Sequence, residues 1–488
     1  MMDYSQFLNM IPEAFLVLSL ILVFVADFCL CKSDRKNSVL SKLTAALLLV
    51  TACVTTTVQP AEAFGGLYVT SPMVNVMKII LTAGSFIVVV MAQTWLNSIK
   101  KLEGEFYMLL LSTLLGMYMM MSSGSFLLFF LGLEMASVPL ACMVAFDKHK
   151  KDSAEAAAKY ILIATFSSGV MLFGISFIYA ATGTLYFNDV AAQLSMVHGT
   201  SSFAHCPLCI IGLVFFFSGL AFKLSLVPFH FWTADTYQGA PTPVTGYLSV
   251  ISKGAAALTL MIILNKVFGS MVDYWNPMLW IVIMLSITVA NLFAIRQTEL
   301  KRFMAFSSIS QAGYIMLALI GANPQTAGAA LIFYVLVYIV ANMAVFTVIS
   351  AVEHGGGNTQ MSAYNGLYQT NPKMAFLMTL ALFSLAGIPP FAGMFSKFFV
   401  FLAAVEGHTS QPFWPYFVVF IALINTVVSL YYYLLIVKAM YIKAEEHPLP
   451  TFKMDGAAKL SLAICTLGIV LFGVCSCIYE WLFAASAM

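Results

Sequence analysis

Four ionisable residues stand where the surrounding chain is apolar. They are Glu134 in "FFLGLEMASVPL", Lys223 in "GLAFKLSLVPFH", Lys253 in "SVISKGAAA" and Lys397 in "GMFSKFFVF". A charge at the bilayer centre costs about 2.5–3.5 kcal/mol on insertion scales, and such residues mark ion paths by default. An amine taken out of water holds its proton less tightly, and an approaching carboxylate restores that hold. A lysine with a movable glutamate beside it can therefore take up and release a proton. Here Glu134 would act on Lys223, and Lys223, Lys253 and Lys397 would pass protons along the membrane plane through bound water. His230, between the first two lysines, could serve in the same chain; an interfacial structural histidine is the alternative. For the whole set the competing explanation is structural, with buried pairs that fix helix register. Snorkelling would account for Lys223 alone, because Pro228 follows closely. Lys253 and Lys397 are too far from either end of their spans for that.

The elements that must position these residues are membrane helices. Of 488 residues, 61% are hydrophobic and 9% charged, against roughly 25% charged in a soluble domain. The net charge of +2 provides no basic field for nucleic acid. A spanning helix needs about 20 apolar residues, and that rule gives about fourteen spans, near 11–30, 42–58, 72–95, 105–122, 125–146, 156–181, 207–226, 241–265, 277–295, 303–320, 326–351, 374–405, 414–437 and 460–483. Backbone groups in lipid must be satisfied within the fold, so runs of this length mean an all-α, polytopic membrane protein. The first run has no Lys or Arg before it and reads as a span, not a cleaved signal peptide. Eighteen of the 23 basic residues, from Lys32 and Arg35 through Lys100 and Lys101 to Lys453 and Lys459, fall in one alternate set of loops. The opposite set holds Lys266, with Lys78 a turn or so inside a span. By the positive-inside rule both termini lie on the outer side.

Two spans are interrupted beside a lysine. In "FKLSLVPFHFWTADTYQGAPTPVTGYLSVISKG", Pro228 closes the seventh span and Pro241 and Pro243 open the eighth; in "SLAGIPPFAGMFSKFFVF", Pro389 and Pro390 precede Lys397 in the twelfth. Proline frees a carbonyl one turn earlier, and in lipid that defect survives only where protein or water satisfies it. Broken helices at matching places in two halves point to a transport site. The seventh and twelfth spans are five apart, so helices 4–8 and 9–13 fit two inverted five-helix repeats. The organisation expected is one membrane domain over residues 1–488. It has three N-terminal helices (1–100), a first repeat (101–266), a second repeat (267–443) and a C-terminal helix (444–488). His205-Cys206-Pro-Leu-Cys209 is the only CxxC, and it lacks the second ligand pair of a structural zinc site. No Gly-rich phosphate loop is present, and "EHGGGNTQ" (Glu353 to Gln360) reads as a plain loop after a span.

Three stretches carry a family resemblance. "PFHFWTADTYQGAPTPVTGYLSVISKG", "ELKRFMAFSSISQAGY" and "GIPPFAGMFSKFFVF" resemble the seventh-to-eighth, tenth and twelfth helix signatures of the antiporter-like membrane subunits of respiratory complex I, NADH–quinone oxidoreductase. Trp232, Asp235, Tyr237, "GAPTPVT" and the terminal Lys397 are similar to the subunit N branch and less so to the sister subunits L and M. The resemblance implies that Glu134 modulates Lys223, that Lys253 is the connecting lysine and that Lys397 ends the path at a half-channel to the outer side. It implies no cofactor in this chain, with NADH, FMN, iron–sulfur clusters and quinone held by partner subunits. It further implies antiporter-like subunits L and M and small subunits J and K as partners, in a bacterial inner membrane. Two positions depart from the pattern: Gln238 stands where Glu is frequent, and Phe306 where Tyr is. A subunit of a multisubunit sodium/proton antiporter, or of a membrane-bound hydrogenase or ferredoxin-linked complex, remains an alternative, as does a purely structural membrane scaffold.

Overall fold

The computed structural model of the chain describes residues 4–30, 36–99, 102–200, 207–407, 413–443 and 449–486. Lys32, Arg35, Lys100, Lys101, His205 and Cys206 lie outside the described residues. In chain order the elements are α1 (Ile11–Cys29), α2 (Lys36–Thr56), a short hairpin β1 (Ala61–Ala63) and β2 (Tyr68–Thr70), α3 (Pro72–Ile99), α4 (Glu103–Met121), α5 (Phe126–Val144), α6 (Lys151–Thr182), α7 (Phe187–Thr200), α8 (Pro207–Leu224), α9 (Phe231–Gly239), α10 (Thr242–Lys266), α11 (Val272–Ile295), α12 (Leu300–Leu317), α13 (Pro324–His354), α14 (Leu367–Thr370), α15 (Pro372–Ala386), α16 (Ala392–Val405), α17 (Phe413–Tyr441), α18 (Gly456–Val474) and α19 (Cys477–Ala485). The two strands pair antiparallel, Ala61 opposite Thr70.

Among the described residues, thirteen helices are long and apolar enough to cross a membrane. The remaining expected span, the twelfth (374–405), is present as two shorter apolar helices, α15 and α16. The proline pair divides them, as the sequence anticipates. The chain is thus a multi-pass, all-α membrane protein. The seventh span is likewise divided: α8 stops at Leu224, a turn carries Pro228, and α9 resumes at Phe231. Sequence periodicity missed three features. The amphipathic α7, with Asp189 in its first turn, is too polar to count as a span. The last span ends at Val474, and α19 follows as a separate short helix. The hairpin is only three residues per strand.

Local chemistry fixes the ends. Ser125 caps α5 by accepting from the Leu128 N–H at 3.3 Å, and Glu299 caps α12 by accepting from the Arg302 N–H at 2.5 Å; such caps satisfy donors the helix cannot. Gly387 ends α15 in the left-handed region, φ 89°, where only glycine is at ease.

The bundle is built around α10, α12 and α13, whose most apolar stretches are buried almost throughout. α6, α17 and α18 bury only about a third of theirs (33%) and turn the rest outward, as lipid-facing helices should. Spans alternate in direction, so the seventh and twelfth run opposite ways. Lys223 precedes its break and Lys397 follows its own. Both lysines therefore lie in the half of the broken helix away from the basic loops.

Candidate functional site

The two breaks expose backbone groups deep in the bundle, and side chains cover most of them. After α8, Ser225 takes a positive φ of 62° and the chain folds back, with Ser225 N–H on Phe222 O (2.9 Å) and Leu226 N–H on Ala221 O (2.9 Å). The Trp232 indole N–H also donates to Phe222 O at 3.2 Å, and Val227 N–H donates to Ser286 Oγ at 2.9 Å. At the second break Lys397 itself does this work: its Nζ donates to Ala386 O at 2.9 Å. The break and the lysine thus complete each other, since a freed carbonyl gains a donor and a buried amine gains an acceptor.

All three lysines are sequestered, with Lys223 4%, Lys253 1% and Lys397 4% exposed. None has an acidic partner within ion-pair distance among the described residues. Their hydrogen-bond partners are neutral. Lys223 Nζ donates to Ser137 Oγ (2.8 Å) and Tyr160 OH (3.4 Å). Lys253 Nζ donates to Ser308 Oγ at 2.7 Å and lies 5.6 Å from the Tyr237 ring centre. Lys397 Nζ stands 4.9 Å above the Tyr314 ring, within reach of a cation–π attraction. Snorkelling does not describe Lys223, because its ammonium is turned inward.

Glu134 is half-buried on α5, one helical turn before Ser137. Its Oε1 is buried without a hydrogen-bond partner. Glu134 makes no ion pair with Lys223 among the described residues, and Ser137 Oγ and Tyr160 OH are the bonded partners of the amine. His230 is buried at the N-terminus of α9, and among the described residues no hydrogen bond joins it to either neighbouring lysine.

A polar thread on α12 runs between Lys253 and Lys397. Ser308 bonds the first lysine, and Tyr237 OH lies 3.4 Å from the same Ser308 oxygen. Next to it, Ser307 Oγ is 2.5 Å from Tyr433 OH. Gln311 Nε2 donates to that Tyr433 oxygen (3.3 Å) and to Leu385 O (3.2 Å), and Tyr334 OH donates to Gln311 Oε1. Leu385 adjoins Ala386, which accepts from Lys397. A cavity of ≈ 10 Å³ lined by Gln311, Tyr334, Tyr338, Ser384, Ser396 and Lys397 is about the size of one water. Between Lys223 and Lys253 the link is aromatic: Tyr160 packs on Trp232 at 5.1 Å and Trp232 on Tyr237 at 6.4 Å. Sequence reasoning did not single out Ser137, Ser307, Ser308, Gln311 or Tyr433. The signal was available in "SSISQAGY", where polar residues recur one helical turn apart inside an apolar span.

At the basic-loop end, Asp235 on α9 pairs with Lys159 of α6 (2.8 Å) and Arg302 of α12 (2.6 Å). Gln238 accepts from the same Arg302 at 3.0 Å, so this departure from the family pattern sits in the clamp that holds α9. Phe306, the other departure, stacks on Phe293 at 5.5 Å.

Residues 123–444 match the family model described as NADH:quinone oxidoreductase/Mrp antiporter, TM. A relative from Phocaeicola vulgatus, named NADH-quinone oxidoreductase subunit N, is 56% identical over 99% of this chain and 99% of its own length. The chain belongs to the NADH-quinone oxidoreductase subunit N family. Its fold is similar to a chain of respiratory complex I from Thermus thermophilus, with TM-score 0.78, 29% identity, and 95% of this chain and 97% of that one covered. The subunit N fold is also shared with a chain of the Mrp complex from Dietzia sp. at 18% identity, TM-score 0.84, covering 98% and 97%. That second likeness concerns the fold alone.

Proposed function

We propose that this subunit N relative is a proton-translocating membrane subunit of an NADH–quinone oxidoreductase, with Glu134, Lys223, Lys253 and Lys397 as the relay. The observation that carries the reading is the placement of three sequestered amines on α8, α10 and α16, with Ser308, Ser307, Tyr433 and Gln311 lying between the last two. Each amine rests on a neutral oxygen, so it can exist with or without its proton without breaking an ion pair. Glu134, with one oxygen unpartnered, is the movable charge. When it swings toward Lys223 it favours the ammonium; when it withdraws, the proton passes on toward Lys253 and then Lys397. His230 is held in reserve as a further proton carrier at the first break. Moving one charge against 100 mV requires about 2.3 kcal/mol, and quinone reduction in partner subunits supplies it.

NADH, FMN, iron–sulfur clusters and quinone then belong to partners, and subunits L, M, J and K are the neighbours in the membrane. The basic loops face the cytoplasm and both termini the outer side of the bacterial inner membrane. Helices α4–α10 and α11–α17 form the two inverted units. The matching family model is described for NADH:quinone oxidoreductase and the Mrp antiporter alike, which keeps a second reading in view, a subunit of a redox-free sodium/proton antiporter. Purification of the native complex separates the two. Flavin and NADH dehydrogenase activity that co-purify with this chain support the first reading, and a flavin-free assembly overturns it. Within the purified complex, Lys253→Met should assemble normally and lose proton pumping. Full pumping by that variant would remove the relay.

A further inference from the structure

The relay leaves one buried pair of charges unused. Glu13 and Lys78, on α1 and α3, are 1% and 0% exposed, and Glu13 Oε1 lies 2.5 Å from Lys78 Nζ. Tyr68, on β2, completes the cluster: its hydroxyl donates to Glu13 Oε2 at 3.1 Å and accepts from Lys78 at 3.2 Å. From sequence position alone Glu13 reads as an acid at a span end and Lys78 as a lysine just inside one; folding closes the hairpin over both. A tether between α1 and α3 is the plain explanation, yet a buried pair holds helices no better than well-packed apolar residues do.

The cluster does not stand alone. Polar groups lead from it toward α10, the helix that carries Lys253. Lys78 Nζ is 5.2 Å from the Tyr118 ring centre. One turn along α3, Thr82 Oγ1 lies 2.5 Å from Tyr118 OH, which also donates to Lys78 O at 3.2 Å. Five residues earlier on α4, Thr113 Oγ1 lies 2.7 Å from Tyr247 OH on α10. Two residues on, Ser249 receives Asn342 Nδ2 at 2.5 Å and its carbonyl accepts from Ser308, the partner of Lys253. Apolar side chains would fill these positions more cheaply, since buried hydroxyls must each find a partner.

We propose that Glu13, Lys78 and Tyr68 form a proton port on the face away from the basic loops, with a seam of two pairs, Thr82–Tyr118 and Thr113–Tyr247, as stepping stones toward Lys253 and bound water bridging the gaps that no hydrogen bond between side chains closes. This rests on the relay reading. A neutral Lys78 amine accepts a proton arriving along the seam, and the resulting ammonium is held by the Glu13 carboxylate. The proton then leaves past Tyr68 to water, and the amine is restored; only N–H and O–H bonds form and break, and no electrons move. The first three helices thus serve the ion path and are more than packing.

The test uses the complete complex in proteoliposomes, with proton uptake and NADH oxidation measured together. The double variant Glu13→Gln/Lys78→Met removes both charges at nearly constant volume, a replacement that helix packing tolerates, so an assembled variant that moves fewer protons speaks for a port and against a mere tether. Tyr118→Phe deletes a single seam oxygen and keeps the packing. The port predicts that protons moved per NADH fall at least twofold in both variants while flavin content and subunit composition stay unchanged. Wild-type proton yield in the assembled double variant overturns it. If the double variant fails to assemble, unchanged yield in Tyr118→Phe overturns it instead. Lys253→Met is measured alongside: its failure to pump, with the port variants normal, sinks the port and leaves the relay standing.

Discussion

Replacing Lys397 by Ala tests the relay at its far end. The amine makes one hydrogen bond, to Ala386 O, and lies over Tyr314. Its loss leaves a buried carbonyl unsatisfied, at about 1–3 kcal/mol, but it also removes a buried amine that had to be taken out of water, so assembly should survive. The effect on transport is larger. Without a group that can carry the proton from the Gln311 end of the thread, the charge must cross the same stretch as a bare ion. At the cost of a central charge, about 2.5–3.5 kcal/mol, and tenfold in rate per 1.36 kcal/mol, this transfer slows by roughly 70- to 400-fold. In proteoliposomes, acidification driven by NADH should fall accordingly, and turnover with it if the steps are tightly coupled. Lys397→Arg should fail as well, because a guanidinium with pKa above about 12 cannot release its proton. Space is also short there, since a Cβ placed on Gly387 would already stand 3.1 Å from Lys397 Cδ. Full proton yield at full speed in an assembled Lys397→Ala complex would refute the reasoning, because no other buried titratable amine is bonded to the second break among the described residues.

Tyr433→Phe takes away the oxygen shared by Ser307 and Gln311; the rate of pumping should drop about tenfold or more, the cost of one hydrogen bond at about 1.4 kcal/mol, with subunit composition unchanged on native gels. Gly387→Ala forces a side chain into the left-handed region at φ 89°, a strain of about 1–2 kcal/mol; it also crowds Lys397, so the purified complex should melt earlier and pump less, and a normal melting temperature would argue that the break is relaxed.

Much of this protein was legible in its residues. Hydrophobic run length alone gave the spans, because lipid offers backbone groups no partner and forces whole helices. Pro389 and Pro390 marked the divided twelfth span for the same local reason, and a charge in an apolar run cannot be hidden from inspection, so Glu134, Lys223, Lys253 and Lys397 stood out. What surrounds those charges was decided only by folding. Ser137 accepts from Lys223, Ser308 receives Lys253, and Tyr433 joins Ser307 to Gln311 across 126 and 122 positions of sequence. Glu13 reached Lys78 over 65 positions, although its place at the head of a span gave no hint of burial. Solvation and helix formation act within a short window of chain, so sequence reveals them; a hydrogen bond between helices depends on which faces pack together, and the tertiary structure alone sets that.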